Sequence, residues 1–191
     1  MPGLYTGKGD GGTTKTFGCD QQRISKATEL PEALGTLDEL NSFLGLAKIR
    51  ATQVQDSGIV IGKKTKAISV ILRDVQETLF IVQAEVAGAP KKVGKRKVTE
   101  VEKIIAAVEE EIPPVVSFSI AGGTEVSALL DVARTLARRA ERRVVAVHEL
   151  ELRKLSPHTR AYLNRLSSLL FALARLANHK SGIKEENPSY K

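Results

Sequence analysis

Apolar residues recur three and four positions apart in five separate stretches of this chain, the spacing that places side chains on one face of a 3.6-residue helix. From Pro31, a residue suited to a first helical turn, Leu34, Leu37, Asn41 and Leu44 mark a helix to about Arg50. Ile68, Ile71, Leu72, Val75, Leu79 and Val82 mark a second over 64–86, stopped by Gly88 and Pro90. Thr99, with Glu102 three residues on, reads as the capping box of a third helix, whose stripe is Val101, Ile104, Ile105 and Val108 and whose end is Pro113 and Pro114. Thr124 caps a fourth over 125–150, with Leu130, Ala133, Ala137, Ala140 and Val144 inward. After Ser156-Pro157 a fifth runs from about Thr159 to Lys180, with Leu163, Leu166, Leu170, Leu173 and Ala177 facing in. The pattern holds no strand pair and no repeat. The expected fold is all-α, a five-helix bundle over 30–180 within a single domain of 1–191, with 51–63 as a connection and 181–191 as a polar, frayed tail.

Residues 1–29 stand apart, because they carry no apolar period. At their centre, Gly7, Gly9, Gly11 and Gly12 put four glycines in six positions, which lets backbone N–H groups turn toward an anion while Thr hydroxyls and Lys8 add donors. This is not a Walker A loop, since the Gly-x4-Gly-Lys-[Ser/Thr] spacing is missing. The plain alternative is a flexible tail.

Charge narrows the partners: 29 Lys plus Arg against 22 Asp plus Glu give +7, which favours anions of some kind. Aromatic residues are only 4% and Trp is absent, a poor endowment for stacking single-stranded bases. Cys19, the single cysteine, has no histidine near it and reads as incidental in a reducing cytosol. No run approaches the ~18 apolar residues of a membrane span, and no secretory h-region opens the chain, so a soluble cytoplasmic protein is expected. His148, His158 and His179 lack zinc-ligand spacing, and no Ser-His-Asp order stands out. Neither a metal held by the protein alone nor a covalent side-chain nucleophile is indicated.

The densest chemistry lies in the fourth helix, where Arg134, Arg138, Arg139, Arg142 and Arg143 surround Glu141. Arg134, Arg138 and Arg142, four residues apart, make a stripe beside the apolar face, with Glu141 near its edge; Arg139 and Arg143 point elsewhere. A guanidinium keeps its charge and offers a planar fork of donors, so a polyanion such as a triphosphate is the natural guest. The bland alternative is a solvated basic face in which Glu141 pairs with Arg138 at i, i+3 for about 0.2–0.5 kcal/mol. Asp38, one residue from an inward leucine on the first helix, calls for a cationic partner or is a simple surface aspartate.

Five blocks taken together resemble the PduO-type ATP:cob(I)alamin adenosyltransferases: Thr6-Gly-Lys-Gly-Asp-Gly-Gly-Thr-Thr14, Leu34-Gly-Thr-Leu-Asp-Glu-Leu-Asn41, Phe118-Ser-Ile-Ala-Gly-Gly-Thr124, Ala133-Arg-Thr-Leu-Ala-Arg-Arg-Ala-Glu-Arg-Arg143 and Tyr162-Leu-Asn-Arg-Leu-Ser167. They occur in the family's order and span the chain from Thr6 to about Asn178. The resemblance implies a homotrimer with ATP and corrinoid bound between subunits. It assigns Thr6, Gly7, Lys8, Asp10, Gly12, Thr13 and Thr14 to a loop wrapping ATP, Lys26 to its phosphates, and Arg134, Arg138, Glu141, Arg142 and Asn164 to the nucleotide and metal site, with Mg2+ carried by ATP. It makes Asp38 the partner of Arg134 across the interface, and Phe118 the ring that crowds the lower axial face of cobalt. The chain departs from its relatives at Ala121, where Pro is frequent, and at Asp131, where His is common. The implied reaction is attack by cob(I)alamin on the 5′ carbon of ATP, giving adenosylcobalamin and triphosphate, served by a cob(II)alamin reductase and an acceptor enzyme that uses the product. A basic helical RNA-binding protein and a non-catalytic nucleotide-binding regulator are the rival readings; RNA affinity would fall with salt, and the regulator would not turn over.

Overall fold

The computed structural model describes residues 3–17, 22–54 and 58–191; Cys19 lies outside them. The helices expected from periodicity are present as α1 (Glu29–Ala51), α2 (Ile68–Ala87), α3 (Lys95–Glu111), α4 (Glu125–Glu149) and α5 (Pro157–Lys180). In space they follow the order α2, α1, α4, α5, α3, each packed on the next. The α4 face of Leu130, Ala133, Ala137, Ala140 and Val144 is at most 1% exposed. Its three alanines let α1 and α5 approach α4 closely from either side. The inward positions of α2 and α5 are likewise buried, whereas Leu34 of α1 is only partly covered.

Caps set several boundaries. Thr124 accepts the Ser127 N–H at 3.1 Å, as the sequence predicts for α4. Ser156 accepts the Thr159 N–H at 3.2 Å, with Pro157 as the first helical residue, so α5 starts two residues before the expected Thr159. The Glu85 carboxylate, buried at the end of α2, accepts the Ser156 N–H at 2.7 Å and the Thr159 hydroxyl, which fixes the start of α5 against α2. Tyr162 adds a second tie between these helices through Thr78; burial pushes its phenol pKa up, so the ring stays neutral.

Four expectations are corrected. The chain does form strands: β1 (Thr13–Thr14) pairs antiparallel with β2 (Ile24–Ser25), and β3 (Gly58–Ile61) with β4 (Lys64–Ala67). The second pair is a hairpin turning at Gly62 (φ 62°), so α2 begins at Ile68 and not at Lys64. Four-residue strands are too short to establish a period, and only Ile59, 1% exposed, reports a buried side. Thr99 is not a cap. α3 starts at Lys95 after Gly94, and the cationic first turn, unfavourable at a helix N-terminus, is offset by Arg96 and Lys97 reaching Glu100 at 3.6 and 3.8 Å.

The tail, expected to be frayed, is tied to the bundle over 183–186. Ile183 N–H donates to Asn178 O at 3.0 Å, the Glu185 carboxylate accepts both hydrogen bonds of Arg175 Nε at 2.9 and 3.0 Å, and Glu186 O accepts the Ile120 N–H at 2.8 Å. The sequence shows the tail's polarity but not the receiving groups, which come from α5 and from the passage before α4. Among the described residues no helix is long and apolar enough to cross a membrane.

Candidate functional site

The five arginines of α4 divide by the direction in which they leave the helix. Arg139 forms an ion pair with Glu39, and Arg143 Nε lies 3.4 Å from Glu32 Oε1; both carboxylates belong to α1. Arg138 and Arg142 are exposed and have no partner among the described residues. Arg134 is intermediate: its side chain is 31% exposed, its nearest carboxylate is Asp131 at 3.6 Å, and its buried Nε has no hydrogen-bond acceptor. Asp38 is exposed on α1 and makes no contact with Arg134 within the chain.

Glu141 does not pair with Arg138. It accepts from Asn164 Nδ2 at 3.1 Å; Asn164 Oδ1 accepts from Arg165 at 2.6 Å, and Arg165 Nε donates to Glu102 at 3.1 Å. This relay runs from α4 across α5 to α3 and orients Glu141 and Asn164 at the edge of the stripe. Arg165, absent from the sequence-derived site, is the residue that turns Asn164 toward Glu141. Its place one residue after Asn164 on a helix gave no signal of that.

The glycine-rich loop is folded on itself. Asp10 N–H donates to Gly7 O at 3.2 Å and Gly12 N–H to Gly9 O at 3.1 Å, with Gly7 and Gly12 at φ 66° and 73°. Arg23 holds the loop's far end, donating from Nε to Thr13 Oγ1 at 2.7 Å and from its terminal nitrogen to Thr13 O at 2.6 Å. Lys26 Nζ donates to Gly9 O at 3.0 Å, so the lysine expected at phosphates is here bonded to the loop. Arg23 was missed because a lone arginine among Gly, Thr and Lys carries no periodicity. Thr6, Gly7, Lys8, Asp10 and Gly12 stay exposed, while Thr13 and Thr14 are half-buried by the β1–β2 pairing. Among the described residues the hydrogen bonds of 6–14 run to residues 6–26 and none joins the loop to α4.

Phe118 is 79% exposed, flanked by Val116 at 88% and Ile120 at 56%. The passage that carries it is anchored where it enters α4. Asn178, buried on α5, donates to Gly122 O at 2.9 Å and accepts the Thr124 N–H at 3.0 Å; Ser127 Oγ adds a 3.1 Å bond to Gly122 O. A Cβ on Gly123 (φ 110°) would lie 2.5 Å from Asn178 Oδ1, so only glycine fits there. Asp131 Oδ2 accepts the Gly122 N–H at 3.4 Å, which puts one carboxylate between this passage and Arg134. Among the described residues no three His, Cys, Asp or Glu side chains cluster as metal ligands.

Two exposed arginines one helical turn apart without partners among the described residues, an exposed glycine-rich loop and an exposed phenylalanine mark the surface of a mostly helical protein. The chain belongs to the cobalamin adenosyltransferase family, whose model matches residues 4–177. It is 37% identical over 184 residues to the corrinoid adenosyltransferase PduO of Citrobacter freundii, with 92% of this chain and 50% of that protein covered; the chain thus spans about half that relative's length. It is 37% identical over 190 residues to the corrinoid adenosyltransferase of Bacillus subtilis, covering 94% and 89%. Among solved structures, a variant PduO-type ATP:corrinoid adenosyltransferase from Lactobacillus reuteri complexed with cobalamin and ATP superposes with a TM-score of 0.84 at 28% identity, covering 98% of this chain and 99% of that one.

Proposed function

We propose that the protein, acting as one domain over 1–191, transfers the 5′-deoxyadenosyl group of ATP to the cobalt of cob(I)alamin, giving adenosylcobalamin and triphosphate. The observation that carries this reading is the pair Arg138 and Arg142, exposed beside the Glu141–Asn164 relay with no counter-ion among the described residues. Family membership and the relatives' shared activity support it.

The reaction is an inline displacement. A new cobalt–carbon bond forms from the electron pair of cob(I)alamin, the C5′–oxygen bond breaks, and triphosphate leaves with that bond's electrons. No protein acid or base has to act, because the nucleophile arrives already reduced and the leaving group is an anion. What the chain supplies is position and positive charge. Arg138 and Arg142 take the triphosphate, the 6–14 loop with Lys8 and the Thr hydroxyls closes over ATP, and Lys26 exchanges Gly9 O for a phosphate oxygen. The Glu141 carboxylate, oriented by Asn164 and through it by Arg165, would help hold a Mg2+ kept mainly by phosphate oxygens and water, since the described residues form no cage of acids. Bound there, Mg2+ would neutralise leaving-group charge.

Because no hydrogen bond joins the loop to the stripe among the described residues, each is read as half of a site completed by the neighbouring subunit of a homotrimer. Asp38 then meets Arg134 of the partner subunit, which gives the buried Nε its acceptor. Phe118 excludes the lower axial ligand of cobalt, and a cob(II)alamin reductase supplies the electron. An anaerobic assay with chemically reduced cobalamin and ATP tests the proposal: the cobalt–carbon absorption spectrum should appear with stoichiometric triphosphate. ATP binding without that product would leave a nucleotide-binding regulator.

A further inference from the structure

The passage 113–122 joins α3 to α4 without regular structure of its own. It is tied down at both ends and once in between. Arg175 of α5 donates to Pro113 O at 3.0 Å, Asn178 holds Gly122, and the tail reaches over to take the Ile120 N–H on Glu186 O. The tail in turn is fastened by Glu185, whose carboxylate receives Arg175 Nε on both oxygens; the two side chains are only 11% and 26% exposed. One guanidinium therefore bonds the start of the passage and the segment that clamps its far half. A charge-assisted pair in this geometry, largely out of water, is stronger and more directional than the exposed pairs elsewhere on the surface. Phe118 sits between the tie points and projects outward.

We propose that Arg175 and Glu185 are positioning residues for Phe118: their ion pair clamps the tail over 113–122, so the ring is held at a fixed height before a corrinoid arrives. The inference rests on the proposed function, since it is the corrinoid that the ring would meet. Neither residue touches substrate. Their loss should appear in the handling of corrinoid and leave ATP alone, because among the described residues the 6–14 loop and the arginine stripe share no bond with the tail.

The test compares Glu185→Ala and Glu185→Asp with the parent protein at full length. In Glu185→Ala the corrinoid KM should rise about tenfold, with KM for ATP within about twofold and maximal turnover of pre-reduced cob(I)alamin little changed. The fraction of cob(II)alamin made four-coordinate, read by electron paramagnetic resonance with ATP bound, should fall, and Glu185→Asp should recover part of it. Independently of any chemistry, hydrogen exchange at the Ile120 amide should quicken by about tenfold or more in Glu185→Ala while α4 and α5 amides stay protected. Unchanged Ile120 exchange, or equal losses for ATP and corrinoid that follow a lowered Tm, would overturn the clamp. A parent protein that makes no adenosylcobalamin would instead overturn the proposed function, so the two failures are distinct.

Discussion

Arg138 and Arg139 are neighbours in sequence, yet one belongs to the fold and the other does not. One step along a helix turns a side chain by about 100°, which aims Arg139 and Arg143 at α1, where Glu39 and Glu32 wait, and aims Arg138 and Arg142 at open surface. The α1 pairs are 43–52% exposed and each is worth roughly 0–1 kcal/mol, enough to favour the α1–α4 register but not to hold it. The open pair has no counter-charge among the described residues, which leaves its repulsion to be relieved by solvent or by a ligand. Residue type alone treats these arginines as equals; helix direction separates scaffold from site.

Arg134 falls between the two sets, and the largest expected effect lies there. If Asp38 of one subunit supplies the missing acceptor of Arg134 of the partner subunit, removing either member should cost about 3–5 kcal/mol of assembly or corrinoid binding, as for a buried charge left unpaired. The two changes should be non-additive in a double-mutant cycle read by sedimentation. Additive losses would return Arg134 to Asp131 and to the scaffold set. Next in size, Arg138→Ala should lower kcat/KM by roughly ten- to a hundredfold, matching about 1.5–3 kcal/mol for one charge-assisted phosphate contact, with Tm unchanged. A fall in Tm without a fall in turnover would reverse its assignment.

The helices and the arginine stripe were legible because both depend on a period, and a period survives without knowing the neighbours. The buried face of Leu130, Ala133, Ala137, Ala140 and Val144 follows from spacing alone, and Thr124 from its residue type at the boundary. What stayed hidden depends on single contacts between distant positions. Asn178 clamps Gly122 from 56 residues away, Arg165 meets Glu102 across 63, and Glu185 reaches Arg175 from a stretch with no pattern. The hairpin over 58–67 escaped for a related reason: four residues per strand are fewer than a helical stretch of mixed polarity needs to be excluded. The motif resemblance placed Phe118 and Asp38 in roles; only the fold shows that both side chains are exposed in the single chain.

Phe118 extends the comparison beyond α4. A core phenylalanine cut to alanine costs about 3–5 kcal/mol, but a ring 79% exposed has little burial to lose, so Phe118→Ala should keep its Tm. Its effect should be confined to one step: activity starting from cob(II)alamin and reductase drops about tenfold or more, near 1.4 kcal/mol, while alkylation of pre-reduced cob(I)alamin suffers much less. Equal loss in both assays with a lowered Tm would place the ring among structural residues.

The smallest effect is the control on which the comparison turns. Arg143 is one helical step from Arg142, carries the same charge, and differs only in having Glu32 3.4 Å away, with the two side chains 52% and 49% exposed. Arg143→Ala should cost at most about 1 kcal/mol, a shift of about 2–4 °C in Tm for a chain this size, and turnover should stay within about twofold. Glu32→Ala should produce the same shift, and the double mutant should add almost nothing, because one exposed pair has been removed in each case. Raising salt should shrink the difference from the parent protein, since it screens a pair in contact with solvent. If Arg143→Ala instead abolishes turnover at an unchanged Tm, the α1 pairing is incidental, all the outward edges of α4 serve the ligand, and the division between Arg142 and Arg143 collapses.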